Sequence, residues 1–277
     1  MRRLLLSLAL VLCAPLTAGA VEYSESPALA GQVAAGKLPP VAERLPENPY
    51  VVAMDGGRQA GKYGGELNIL MGRSKDVRQM VVYGYARLVK YNRNFELVPD
   101  ILEAVEIEEG RVFTLRLRKG HRWSDGAPFT TEDFRYWWEN VANDKNLSPA
   151  GPPVDLRVGS ELPKVEVIDE TTIRYSWTAP NPRFLPALAG AGPLYIYRPA
   201  HYLKKYHAAY ADGAALDEAA KAQGQRNWAS LHNKLDNQYK NDNFLHRYNY
   251  NIAHMLSLDS KVQKKILTNH RQHRCNW

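Results

Sequence analysis

Two stretches of alternating apolar and polar residues, each interrupted by a short turn sequence, predict β-hairpins in the middle of the chain. The predicted strand pairs are 104–108 with 111–117, turning at Glu109-Gly110, and 164–168 with 171–177, turning at Asp169-Glu170. Because successive strand residues point to opposite faces of a sheet, each hairpin presents one apolar face to a core and one polar face to solvent.

Apolar residues at helical spacing predict helices on both sides of these hairpins. The predicted helices are 77–90, 131–141, 182–189, 199–206, 216–223 and 227–240, and further strands are predicted at 66–71 and 194–197. The strand pairs occur together with separate helices and without regular β-α alternation. This order favours a mixed α/β fold of the α+β type.

The segment between the hairpins combines a turn with the start of a helix. Trp123-Ser124-Asp125-Gly126 predicts a tight turn, because Asp-Gly suits a position with positive φ. Thr130 is then the expected N-cap of the next helix, with Asp133 at the capping-box position three residues later. We interpret the segment as a structural corner rather than a binding site, with Trp123 and Trp137 buried against the sheet.

The first 20 residues have the layout of a cleavable secretory signal peptide. Arg2 and Arg3 precede an apolar run over 4–12, and Ala18-Gly19-Ala20 supplies the small residues of a cleavage site. The sequence therefore predicts export to the periplasm. Cys275 is the single cysteine that remains after cleavage, so no internal disulfide is expected.

Residues 21–62 and 244–277 differ in composition from the rest of the chain. Residues 21–62 are rich in Ala, Gly and Pro and show little periodicity, which predicts an extended lead-in. Residues 244–277 contain neither Gly nor Pro and carry half of the histidines. We interpret this abrupt shift as a divergent tail of frame-shifted or foreign origin, with a very divergent native end as the alternative.

The formal net charge of +7 does not predict nucleic-acid binding. The excess of basic residues lies in the first 20 residues and in 244–277, whereas basic and acidic residues balance over 21–243. A surface that tracks phosphates needs a clustered basic patch. Since none is expected in the body of the chain, nucleic acid is excluded as a partner.

No motif predicts catalysis, a cofactor or a metal. Residues 56–62 have the glycine and lysine spacing of a phosphate loop, but Tyr63 stands where that motif needs Ser or Thr. His270, His273 and Cys275 lie close together but do not supply the four ligands of a structural zinc site. Neither a nucleophile elbow nor a zinc-protease motif is present. We therefore expect a protein that is not an enzyme.

The order of these segments resembles the family 5 extracellular solute-binding proteins of ABC importers. The stretches that carry the resemblance are 97–103, 114–120, the block Trp123-Ser124-Asp125-Gly126-Ala127-Pro128-Phe129-Thr130, and 164–177. The resemblance covers about residues 63–243. It implies a periplasmic receptor that binds a peptide or a similar organic solute and delivers it to permease subunits in the inner membrane.

The resemblance also implies how the chain is divided. It indicates a periplasmic-binding-protein-like main lobe formed by 63–76 and 191–243, an inserted smaller β-rich domain at 77–190, and a missing second lobe. Because a cleft receptor encloses its ligand from two sides, weak or no binding is expected for one lobe alone. Two alternatives remain open: a fragment of such a receptor that binds no ligand, and a secreted hydrolase.

The candidate ligand-binding residues follow from the same resemblance, in which the loop after the first main-lobe strand faces the cleft. They are Met71, Gly72, Arg73 and Ser74 in that loop, Arg78 and Tyr83 in the helix after it, and Ser148 in a second loop. Arg73 or Arg78 would pair with a ligand carboxylate, and the Ser74 hydroxyl would hydrogen-bond to it. A solvated loop at a helix start is the alternative for the first group.

Overall fold

The computed structural model describes residues 23–52, 54–57, 59, 61, 86–123, 125–190, 192 and 194–236. The strands in these residues are β1 (Val89–Tyr91), β2 (Leu97–Pro99), β3 (Leu102–Glu108), β4 (Val112–Leu117), β5 (Lys164–Val167) and β6 (Thr172–Ser176). The last four form an antiparallel sheet in the order β3-β4-β6-β5. Both predicted hairpins are therefore confirmed.

The turn between β3 and β4 explains why the first hairpin could be predicted from the sequence. Glu109 and Gly110 have left-handed φ values of 51° and 66°, and together with Arg111 they form the three-residue connection between Glu108 and Val112. This turn sets a register in which Phe113 lies opposite Ile107 on one side and Tyr175 on the other. The register gives the sheet one apolar face, whose buried side chains include Phe113, Leu115, Leu117, Ile173 and Tyr175.

The predicted helix over 77–90 is wrong at its C-terminal end, because its last two residues lie in β1. β1 pairs with β2, with Val89 opposite Pro99. The Asp100 carboxylate accepts hydrogen bonds from the Arg87 backbone N–H at 3.1 Å and from Lys90 Nζ at 2.9 Å. Contacts with a residue ten positions away thus hold this segment extended. Residues 77–85 lie outside the described part of the chain.

The described residues also form seven α-helices. They are α1 (Pro27–Ala34), α2 (Val41–Arg44), α3 (Thr131–Tyr136), α4 (Phe184–Ala189), α5 (Ala200–Leu203), α6 (Gly213–Ala222) and α7 (Trp228–Leu235). The predicted helices at 131–141, 182–189, 199–206, 216–223 and 227–240 are confirmed as elements, with different bounds: α6, for example, begins three residues before the predicted start at 216. α3 continues as a π-helical turn, Trp137–Ala142. Every helix among the described residues is too short or too polar to traverse a lipid bilayer.

Two further expectations about secondary structure need correction. The predicted strand at 194–197 belongs to no sheet, because its residues form no ladder with another described strand. The lead-in predicted as extended over 21–62 contains α1 and α2. Pro27 stands at the first turn of α1, where its missing N–H costs nothing. Glu25 then accepts hydrogen bonds from the Val41 backbone N–H at 3.1 Å and Arg44 Nη2 at 2.6 Å, which fixes α2 beside α1.

Candidate functional site

The corner between β4 and α3 is a closed turn. The Trp123 backbone N–H donates to the Ala127 carbonyl at 2.8 Å, and the Gly126 N–H donates back to the Trp123 carbonyl at 2.9 Å. Gly126 has a φ of 89°, which confirms the positive φ expected for this position. The turn therefore brings the indole of Trp123 back over the start of α3.

Asp133 lies at the centre of this corner. Its Oδ2 accepts hydrogen bonds from Trp123 Nε1 at 3.0 Å and from the Thr130 backbone N–H at 3.1 Å, and its Oδ1 accepts one from the Ala200 N–H at 2.9 Å. The Thr130 hydroxyl caps the helix in return, so the predicted capping box is confirmed. Burial raises the pKa of Asp133 to about 6, although three N–H donors favour the carboxylate.

Acidic side chains of the corner also hold the segment that contains α5. His201 Nε2 lies 2.8 Å from Asp125 Oδ2, and Lys204 Nζ lies 2.5 Å from Glu132 Oε1. Together with the hydrogen bond that the Ala200 N–H donates to Asp133, these contacts join the sheet side of the molecule to its C-terminal helices. They support the interpretation of the corner as a structural junction rather than a binding site.

A pocket of about 400 Å³ opens beside the π-helical turn that follows α3. That turn supplies only apolar side chains to the lining, whereas the loop of Ser148 and the extended segment before α5 supply both apolar and polar ones. Asn233 of α7 and Asp236 just after it complete the polar part. The lining residues are Trp137, Val141, Ala142, Leu147, Ser148, Gly151, Pro153, Leu194, Tyr195, Arg198, Asn233 and Asp236. Three chain regions that are distant in sequence, 137–153, 194–198 and 233–236, thus meet at one cavity.

The two charged side chains of the pocket neutralise each other. Arg198 Nε donates to Asp236 Oδ2 at 2.7 Å, and Arg198 Nη1 donates to the carbonyls of Tyr195 at 3.2 Å and Tyr197 at 2.8 Å. Burial raises the pKa of Asp236, and the adjacent Arg198 opposes that rise. The described lining therefore carries no net charge when this pair is ionised.

A buried histidine lies behind the pocket and stays neutral. His232 Nε2 lies 2.8 Å from the Tyr136 hydroxyl, and the His207 ring lies 5.7 Å from the His232 ring. Burial is the main cause that lowers the pKa of His232 to about 3, and electrostatic interactions with His207 and Arg198 contribute to the same shift. This group packs α7 against α3 and offers no charge to a ligand at neutral pH.

The structure locates one of the candidate ligand-binding residues. Ser148 lines the pocket, and its loop is held by the bond from its own N–H to the Asp144 carbonyl and from the Gly151 N–H to the Ser148 carbonyl, both 2.8 Å. The other candidates lie outside the described residues: Met71, Gly72, Arg73, Ser74, Arg78 and Tyr83. Within the described part, no three His, Cys, Asp or Glu side chains are placed to hold a metal ion.

Sequence reasoning missed most of the pocket. Arg198, Asn233 and Asp236 lie in segments that carry no motif, and only the fold brings them to Trp137. The spacing of Asn233 and Asp236, three residues apart across the end of α7, places them on one side of that helix end. That spacing alone does not identify a site, because many surface helices carry polar residues at the same interval.

Comparisons with known proteins place these features in a family. Residues 96–249 match the family model described as "Bacterial extracellular solute-binding proteins, family 5 Middle". The periplasmic alpha-galactoside-binding protein of Rhizobium meliloti is 30% identical over 203 residues, covering 65% of this chain and 28% of that protein.

Two solved structures are also similar to this chain, and the chain covers only part of each of them. The oligopeptide-binding protein OppA has a TM-score of 0.69 and 31% identity, covering 80% of this chain and 34% of that chain. The periplasmic binding protein MelB of Agrobacterium fabrum C58, solved in complex with stachyose, has a TM-score of 0.50 and 27% identity over 70% of this chain and 32% of its own. The chain thus spans about a third of the length of these relatives. It has their mixed α/β, periplasmic-binding-protein-like fold, and it belongs to the bacterial extracellular solute-binding proteins of family 5.

Proposed function

We propose that the chain acts in solute capture for a bacterial ABC importer, as all or part of the periplasmic substrate-binding component. The observation that carries this proposal is the family match over residues 96–249, which includes the corner, the sheet and all of the pocket-lining segments. Relatives named for binding oligopeptides and alpha-galactosides support an organic solute of either kind. The permease subunits of the importer are the partners that this function requires.

Binding and release of a solute need no covalent step, which agrees with how the polar groups are used. The carboxylates of the corner bind backbone N–H groups, the His201 ring and the Lys204 ammonium group, and the pocket charges bind each other. A volume of about 400 Å³ lies within the range of small-molecule sites. The names of the relatives also support the periplasm as location, with residues 1–20 as the export signal.

The division of the chain remains part of the proposal. The sheet, α3 and α4 fall within the inserted domain proposed for 77–190, and α5, α6 and α7 fall within the main-lobe segment proposed for 191–243. The contacts of Asp125, Glu132 and Asp133 with residues 200–204 cross this boundary. They would fix the inserted domain to the main lobe. The family match continues six residues beyond 243.

Equilibrium dialysis of the full chain tests the proposal. Labelled stachyose and labelled trialanine are the probes, and urea-unfolded chain is the control for non-specific uptake. We expect saturable binding of at least one probe with a dissociation constant of about 1 mM, since a single lobe encloses the ligand on one side only. The bound probe should be recovered chemically unchanged. Absence of saturable binding would contradict solute capture by this chain and favour the alternative of a receptor fragment that binds no ligand. Cleavage of the probe would favour the hydrolase alternative.

A further inference from the structure

We propose that Asp55-Gly56 is a site of spontaneous isoaspartate formation, and that His201 protects the same dipeptide in the corner, Asp125-Gly126, from this modification. A third pair, Asp212-Gly213, stands at the start of α6. The three pairs have the same sequence but lie in different surroundings, so the folded structure determines which of them reacts. This inference does not depend on the proposed function, because the reaction takes place within the chain itself.

Isoaspartate forms in two steps that need no enzyme and no reactant besides water. The backbone nitrogen of the glycine attacks Cγ of the aspartate: an N–C bond forms, a C–O bond of the carboxyl breaks, and the amide proton leaves with the hydroxyl as water. Water then opens the five-membered succinimide ring. Opening at the main-chain carbonyl leaves the chain running through the side chain of the aspartate, with unchanged mass. Glycine favours the attack, because no side chain shields its nitrogen.

In the corner, hydrogen bonds engage both groups that would react. His201 Nε2 lies 2.8 Å from Asp125 Oδ2, and the Ala127 backbone N–H donates to Asp125 Oδ1 at 3.1 Å. These two contacts fix the plane of the carboxyl group. The Gly126 N–H, whose proton must leave during the attack, donates to the Trp123 carbonyl at 2.9 Å. Ring closure at Asp125 therefore requires the corner to open locally.

His201 is the contact that reaches Asp125 from outside the turn. It lies on α5, 76 positions away in the sequence, whereas Ala127 and Trp123 belong to the turn itself. Burial alone would raise the pKa of Asp125, but the hydrogen bonds from His201 and from the Ala127 N–H hold this pKa below its ordinary value. A carboxyl loses water more readily when it is protonated, so the lowered pKa opposes the reaction as well.

Asp55-Gly56 lies in an exposed turn that contains two glycines. Gly56 and Gly57 have φ values of 55° and 79°, and both glycines and Asp55 are exposed. Neither glycine forms a backbone hydrogen bond with another described residue. A Cβ added to Gly57 would meet no atom within 4 Å, so the turn is surrounded by open space. Since glycine changes conformation at little steric cost, the attack at Asp55 needs no opening of packed structure.

Asp212-Gly213 is held by the helix that it begins. Asp212 Oδ1 accepts a hydrogen bond from the Ala215 N–H at 2.9 Å, and the Asp212 carbonyl accepts one from the Leu216 N–H at 3.0 Å. Turning the carboxyl toward the Gly213 nitrogen would remove the N-cap of α6. This pair is therefore protected by a cap and not by His201, which makes it an internal reference.

Mapping of isoaspartate in the aged full chain tests this inference. The folded chain is kept at neutral pH and physiological temperature for several weeks. Peptide mapping, with an isoaspartyl methyltransferase and labelled S-adenosylmethionine as the probe, then measures isoaspartate at each position. We expect the wild type to react faster at Asp55 than at Asp125 or Asp212. In guanidinium-unfolded chain the three rates should be similar, because a glycine nitrogen is the nucleophile in each pair.

His201→Ala should raise the rate at Asp125 about fivefold, the change expected from the loss of one partly exposed charged contact. The rates at Asp55 and Asp212 should stay at their wild-type values. Asp212 also reports whether the variant is folded, because its protection depends on α6 and not on the corner.

Lys204→Ala is the matched control. It removes another contact between the same segment and the corner, the one with Glu132, without removing a contact of Asp125, and it should keep the wild-type rate at Asp125. Equal rates at Asp125 in wild type and His201→Ala, or an equal rise in Lys204→Ala or at Asp212, would overturn protection by His201. A folded wild type in which Asp55 reacts no faster than Asp125 would overturn the modification site.

Discussion

Replacing Asp133 by alanine should lower the free energy of unfolding by about 4 kcal/mol, because it leaves three buried or partly buried N–H donors without their acceptor. Those donors are Trp123 Nε1 and the backbone groups of Thr130 and Ala200. For a folded region of this size, such a loss lowers the melting temperature by roughly 10 °C. Urea unfolding at pH 7, followed by tryptophan fluorescence, measures the change.

Glu132→Ala is the matched control, since Glu132 precedes Asp133 on the same helix turn. Glu132 makes ion pairs with Arg135 and Lys204, but its side chain is 39% exposed. Ion pairs with this much exposure contribute about 0–1 kcal/mol to stability. The free energy of unfolding of Glu132→Ala should therefore stay close to the wild-type value. An equal decrease in the free energy of unfolding for the two variants would contradict the structure, in which the buried Asp133 carboxylate contributes more to stability than the half-exposed Glu132.

Replacing Phe129 by alanine should destabilise the chain by about 3–5 kcal/mol, the range for loss of a buried aromatic ring. The Phe129 side chain is 3% exposed. Its ring centroid lies 5.2 Å from that of Trp123, 5.5 Å from that of Phe134 and 5.1 Å from that of Tyr197. The corner, α3 and the segment before α5 therefore share this one ring, and its removal leaves a cavity among all three.

Phe95→Ala controls for the chemical change, because Phe95 is 86% exposed. Phe95 has a φ of 61°, and alanine meets the same backbone strain there as phenylalanine, so the substitution changes little besides exposed surface. We expect a change within about 0.5 kcal/mol by urea unfolding. If Phe129→Ala lowers the free energy of unfolding as little as Phe95→Ala does, the packing described for the corner is wrong.

Local signals explain which parts of the fold were predictable from sequence. Glu109-Gly110 fixes the first hairpin because both residues must adopt positive φ, and Thr130 with Asp133 fixes the start of α3 through a box completed within four residues. In both places the determining contacts lie within the segment itself. The same holds for the caps of α6 by Asp212 and of α7 by Asn227.

The incorrect predictions concern segments whose structure depends on contacts between residues that are distant in sequence. Val89 and Lys90 continue a helical pattern, but pairing with β2 and the Asp100 carboxylate hold them in a strand. The pocket could not be predicted from the sequence for the same reason, because Trp137 and Asp236 are about a hundred residues apart and meet only after folding. Pro27 lies in a segment whose composition predicts irregular structure, although proline at a first turn is also typical of helices.

The described part of the chain depends on one junction, in which the Asp133 carboxylate ties the sheet side of the molecule to the C-terminal helices. The most direct test is a pH titration of the Trp123 indole N–H signal, because that group donates to Asp133 Oδ2. Burial raises the pKa of Asp133 to about 6, so the signal should titrate with a midpoint near that pH and should lose this transition in Asp133→Asn. An indole signal that does not titrate, or that titrates near the ordinary aspartate value of 3.8, would contradict a buried junction at Asp133.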